Sequence, residues 1–193
     1  MAESTTDAPP VGSAGAEDVP YYYQYGNSRH PSASCQNTAL AMVLSYYGAV
    51  VTPDQITDRF GKDKAQSPAG LAEIFNHYAS EAGIPERMEA TTQGSLEELR
   101  TLAAGPDPVI VHGYFTGGGH VVAVTDYDGS SYTVSDPAGT WSQTHGGGYP
   151  KSWTEPRAGD GITYGQSAFE HAVSTNAHGS AHAPLWYSQI VRP

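Results

Sequence analysis

The chain has one cysteine in 193 residues, few basic side chains and no long apolar run, and each scarcity removes a class of protein. One cysteine cannot close an intramolecular disulfide or build a Cys-rich zinc site, so Cys35 is an inert buried thiol, an intermolecular link or a nucleophile. Nine Lys and Arg stand against twenty Asp and Glu; the resulting formal charge of −11 repels phosphate backbones and anionic lipid alike, so no nucleic-acid partner is expected. No stretch approaches the roughly 20 apolar residues of a membrane helix, and the start lacks the basic and apolar regions of a signal peptide. A soluble protein without membrane insertion is expected. Residues 1–18, MAESTTDAPPVGSAGAED, contain no aromatic and no basic residue and bury too little to order themselves, which predicts a flexible acidic leader. Such a leader, with the acidic balance, suits a bacterial chain secreted after loss of an export signal; the cytoplasm is the alternative location.

What remains, residues 19–193, is long enough and apolar enough for one domain, with 38% hydrophobic and 10% aromatic residues in the chain. Its first half carries helix punctuation. In SASCQNTALAMVLSYYG, Ser34 is placed to cap, Ala39, Leu40, Val43, Leu44 and Tyr47 recur at helical spacing, and Gly48 closes, which puts Cys35 in a first turn. Thr52, Pro53, Gln55 and Gly61 predict a second helix with a capping box; Ser67, Pro68 and Gly83 bound a third, whose apolar stripe is Leu71, Ile74, Phe75 and Tyr78. Ser95 and Glu98 box a fourth that ends at Gly105.

After Pro108 the period changes. VIVHGYF (109–115), HVVAVTDY (120–127) and YTVSDP (132–137) are β-branched and aromatic runs separated by TGGG and DGSS, which are hairpin signals. Residues 138–165, rich in Gly, Pro, Ser and Trp, read as a long surface excursion, followed by a helix at SAFEHAVS and a closing strand at PLWYSQIV. Helices first and strands afterwards predict an α+β fold with an antiparallel sheet.

A cysteine attacks only as thiolate, and a helix N-terminus or a neighbouring imidazolium lowers its pKa. Position 35 supplies the first condition. His120 is the best candidate for the second, because it opens a strand after three glycines and stands at a sheet rim. If the Asp128–Gly129 turn folds the chain back tightly, His120 falls opposite Pro137, beside Asp136, whose carboxylate can then hold the ring in one orientation.

VPYYYQ, then a cysteine opening CQNTALAMVLSYYG, then PVIVHGYFTGGGHVVAVTDYDGSSYTVSDPAG together resemble the C39-like branch of papain-like cysteine peptidases over residues 19–139, with the elements in the same order. The resemblance implies a papain-like fold and Cys35 as nucleophile, His120 as general acid and base, Asp136 as its orienter and Gln24 as a side-chain donor to the oxyanion. It implies hydrolysis of a protein, a peptide or a peptidoglycan stem through a thioester, with no cofactor and no metal. The same machinery serves transglutaminase-like acyl transfer, and a silent C39-like binding module is the remaining alternative. Two departures stand out: Gln36-Asn37 replaces the Gly-Pro that usually follows the cysteine, and Gln24 lies eleven positions before Cys35, farther than is usual. Gln36 and Asn37 are therefore alternative donors.

The other histidines carry less. His178 and His182 lie four apart in a Gly- and Pro-containing loop that presents two metal ligands poorly, and His112, eight before His120, has no further partner at zinc spacing. Trp141, Tyr149, Trp153 and Tyr187 suit either a substrate groove or satellite core packing.

Overall fold

The fold is described here from a computed structural model, which covers residues 18–151 and 154–193; all of the expected leader but Asp18, and Trp153, lie outside the described residues. Local chemistry starts each helix where its caps stand. Thr52 and Gln55 form a reciprocal capping box at the head of α2 (Pro53–Phe60), and Gly61 follows at positive φ. Ser67 Oγ accepts from Gly70 N at the head of α3 (Pro68–Ala82), which Gly83 closes in the left-handed region. Ser95 and Glu98 form the second box at α4 (Leu96–Ala103). At α1 (Cys35–Tyr46) Ser34 occupies the cap position without capping, since its hydroxyl accepts from Asn27 Nδ2 instead. The last helix, α5 (Gln166–Ser174), lies where SAFEHAVS placed it.

Six strands form one antiparallel sheet in the order β1-β6-β2-β3-β4-β5, made of β1 (Arg87–Gly94), β2 (Val109–Gly113), β3 (His120–Tyr127), β4 (Ser131–Ser135), β5 (Ile162–Gly165) and β6 (Leu185–Val191). The two strands with no apolar run in the sequence, β1 and β5, are the sheet's edges. Only Met88 and Gly94 of β1 and Tyr164 of β5 are buried, so neither strand needs the alternation that betrays an inner one.

The two central strands, β2 and β3, carry the unbroken apolar runs 109–111 and 121–124 because both sheet faces are covered there. Ile110, Val121 and Ala123 join the core beneath α1, α2 and α3, whereas Val109, Val111, Val122 and Val124 join the core beneath α4 and α5. The segment 138–165 is largely exposed, as expected of a surface excursion, but it is anchored in this second core at a few points. Trp141 and Tyr164 are fully buried, Trp141 against Phe115 at 5.0 Å and against Tyr164 at 5.5 Å between ring centroids. Its glycines and prolines make it irregular in backbone, and Trp141 and Tyr164 hold it to the core. Trp141→Ala is expected to cost about 3–5 kcal/mol in urea unfolding, as removal of a buried indole does, where a surface loop position would stay within about 0.5 kcal/mol.

Candidate functional site

The site forms where the start of α1 meets the rim of the sheet. Cys35 is the first residue of α1, which packs against β3, and His120 is the first residue of β3. Between β3 and β4 the register differs from a tight hairpin. Asp126 faces Thr133 and Val124 faces Val134, so Thr125 is an extra residue on β3. Beyond the bulge Ala123 faces Ser135, a register that, continued, sets Asp136 against Val122 on the face that His120 shares. The bulge thus moves Asp136 from a neighbouring row into reach of His120.

His120 Nε2 donates to Asp136 Oδ1 at 2.9 Å, with His120 5% and Asp136 0% exposed. That use of Nε2 leaves Nδ1 for the thiol, and Cys35 and His120 lie within side-chain hydrogen-bond reach of one another. Burial by itself pushes the Cys35 thiol up, but the His120 charge and the N–H groups of Val121 and Gln36 outweigh it and hold the pKa below the ordinary thiol value. Burial likewise opposes charge on His120, and the sulfur and the Asp136 carboxylate overcome it, pushing the imidazolium up to about 10. The thiol also donates to Gln36 Oε1 at 3.2 Å.

Four donors converge on the Asp136 carboxylate. Oδ1 accepts from His120 and from Ala138 N at 3.0 Å; Oδ2 accepts from the hydroxyls of Tyr149 at 2.8 Å and Tyr164 at 2.9 Å. Tyr149 also sets its ring edge-to-face on His120, with centroids 5.0 Å apart. Burial and the Asp136 charge raise the pKa of both phenols, which keeps them as donors. Tyr21 donates to the Asp136 carbonyl at 2.9 Å, and Gly159 sits so tightly that a Cβ there would fall 2.1 Å from that oxygen. No spacing in the sequence ties these tyrosines to Asp136, because the contacts cross the fold.

Of the three expected oxyanion donors, Gln24 is buried in a 3₁₀ turn whose backbone N–H bonds to Pro137 O at 2.9 Å. Its Nε2 donates to Pro31 O at 3.1 Å and keeps one N–H unspent. Gln36 uses both amide hydrogens, on Ala33 O and Lys62 O, and Asn37 uses its own on Thr57 Oγ1 and Gly61 O. A cavity of about 370 Å³ opens on the thiol; Cys35, Gln36, His112, Gly119, His120 and Trp186 are among its walls, and Gln24 is not. Of the aromatics expected to line a groove or pack, Trp141 and Tyr187 are core and Tyr149 holds Asp136.

The geometry can support a thiolate–imidazolium pair at the mouth of a cavity, with a carboxylate fixing the ring. If the phenols act through that carboxylate, a double-mutant cycle of Tyr149→Phe and Asp136→Asn read by urea unfolding is expected to give a coupling of about 1 kcal/mol or more. Additive losses would mean that Tyr149 only packs.

Comparison with known proteins agrees with the fold. The model of the Peptidase_C39 like family matches residues 16–158. Among solved structures, a protein described as a C39-like peptidase from Bacillus anthracis superposes with a TM-score of 0.61 at 16% identity, over 92% of this chain and 96% of the other. A double glycine motif protease from an AMS/PCAT transporter, solved in complex with its leader peptide, gives a TM-score of 0.58 at 16% identity, over 93% of this chain and 95% of the other. No curated protein matches the chain.

Proposed function

The chain belongs to the Peptidase_C39 like family, and on that premise we propose that it is a cysteine peptidase working through Cys35, His120 and Asp136 on a peptide or protein substrate. One observation carries the reading: a single buried imidazole stands between the chain's one thiol and a buried carboxylate. Support for a peptide substrate comes from the family and from the leader peptide bound to the similar transporter protease.

In the proposed reaction the Cys35 thiolate adds to a carbonyl carbon and the electron pair moves to oxygen. The Cys35 N–H and the unspent amide N–H of Gln24 are the donors assigned to that oxyanion. The tetrahedral species collapses, the C–N bond breaks, and the imidazolium of His120 gives its proton to the departing amine. The thioester remains. Water then loses a proton to the neutral imidazole as its oxygen attacks the thioester carbon; the C–S bond breaks, releasing the acid and restoring the ion pair. Asp136 keeps Nε2–H engaged throughout, so the nitrogen that exchanges protons is always Nδ1.

The pH dependence follows from the two shifts. The thiolate exists above the lowered Cys35 pKa and the imidazolium persists until about 10, so kcat/KM is expected to rise below the ordinary thiol range and to fall near pH 10. Iodoacetamide is expected to alkylate native Cys35 well below pH 8, and His120→Ala to move that inflection back toward about 8.5. An unchanged inflection would remove the ion pair.

The decisive experiment incubates native chain and Cys35→Ala with a peptide library and with bacterial wall fragments, followed by mass spectrometry. Cleavage is expected from the native chain alone, the fragments together gaining one water; amine adducts in their place would make the enzyme an acyltransferase. Equal products from both chains would take the thiol out of the mechanism.

A further inference from the structure

The cavity beside the thiol holds a second histidine for which the proposed reaction has no use. His112 lies on β2 opposite Val121, while the next residue, Gly113, lies opposite His120. Two aromatic rings bracket its imidazole, Tyr114 at 5.3 Å and Trp186 at 5.7 Å between centroids. Trp186 is brought there by β6, whose Tyr187 pairs with Val111.

An imidazole brings to that half-buried position two polar atoms for which packing has no use. Among the described residues, His112 makes ring contacts and feels the charge of His120, and neither ring nitrogen has a hydrogen-bond partner in the protein. A phenyl or isobutyl group would fill the slot between two aromatic rings with no polar atom to satisfy. Burial, with the charge of His120 nearby, pushes the His112 pKa down to about 4. At neutral pH the ring is uncharged and presents one N–H donor and one acceptor nitrogen.

The TGGG turn exposes that ring to the cavity. Thr116 closes the turn on itself, its Oγ1 donating to Gly119 O at 2.8 Å and its carbonyl accepting from Gly119 N at 3.1 Å. Gly119 has φ +83°, and a Cβ there would lie 2.5 Å from His112 Nε2. The edge of the imidazole thus fills the space that a side chain at position 119 would take, one residue from His120. Gly117 and Gly118 have open space where their side chains would stand, so the rim is low enough for an extended chain to cross.

Resting on the peptidase reading of the site, we infer that His112 is a substrate-binding residue, whose ring edge hydrogen-bonds a backbone amide of a peptide lying across the TGGG rim next to the scissile bond. The partner that the protein withholds from His112 is supplied by the substrate. Trp186 and Tyr114 keep the ring from turning away, and Gly119 keeps its edge uncovered.

Two Cys35 electrophiles separate this role from others. Iodoacetamide carries no peptide, whereas a set of N-acyl tripeptidyl chloromethyl ketones must seat a peptide before alkylation. In the full chain, the ratio of the second-order rate constant for the peptidyl reagents to that for iodoacetamide is expected to fall about tenfold in His112→Leu, the loss of one hydrogen bond, with the change in the half-saturating concentration rather than in the limiting rate. His112→Gln, which keeps a donor and an acceptor, is expected to return the ratio to within about threefold. An unchanged ratio in His112→Leu, or equal losses in the Leu and Gln variants, overturns the inference while leaving the peptidase reading intact. A native wild-type thiol inert to both reagents overturns the reading and the inference together.

Discussion

A carboxylate sealed from water is tolerable only when its lone pairs are answered, and Asp136 sets that requirement for the whole site. Its four donors come from separate parts of the chain: the head of β3, the turn at Ala138, the irregular segment at Tyr149 and the edge strand β5 at Tyr164. Satisfying one side chain therefore draws the sheet rim, the long excursion and an edge strand to one point. The same convergence fixes the His120 ring, so the orientation of the imidazole toward Cys35 is a by-product of burying a charge.

The double-sided sheet explains how a helix tip and a strand end come to share a cavity. Alternate residues of β2 and β3 feed separate cores, so α1 is pressed onto one face while α5 and the aromatic excursion are pressed onto the other. His120 stands at the rim between them. Cys35 reaches it from one side, and Tyr149 and Phe115 flank its ring from the other core.

Features governed by neighbours in sequence were legible before any coordinates. The boxes at Thr52 and Ser95, the αL stop at Gly83, the β2–β3 and β3–β4 hairpins and the placing of Cys35 in a first turn all follow from a few adjacent residues. Features governed by distant partners were not. The edge strands β1 and β5 are polar because half their surroundings are solvent. The bulge at Thr125 leaves no trace in composition, yet it decides which row Asp136 occupies. Ser34 was well placed to cap, but Asn27 claims its hydroxyl. Trp141 sits in a glycine-rich stretch that has the composition of a surface loop, and only its contacts with Phe115 and Tyr164 show why it turns inward.

The strand nearest the C-terminus, β6, is not at the border of the sheet; it lies between β1 and β2 and joins them. Without residues 185–191 the sheet divides into β1 on one side and β2–β5 on the other, each with an unpaired backbone edge. Trp186 travels on that strand, so part of the wall of the cavity at the thiol depends on the same pairing. Any state of the chain in which β6 is undocked therefore lacks a finished cleft, wherever Cys35 stands.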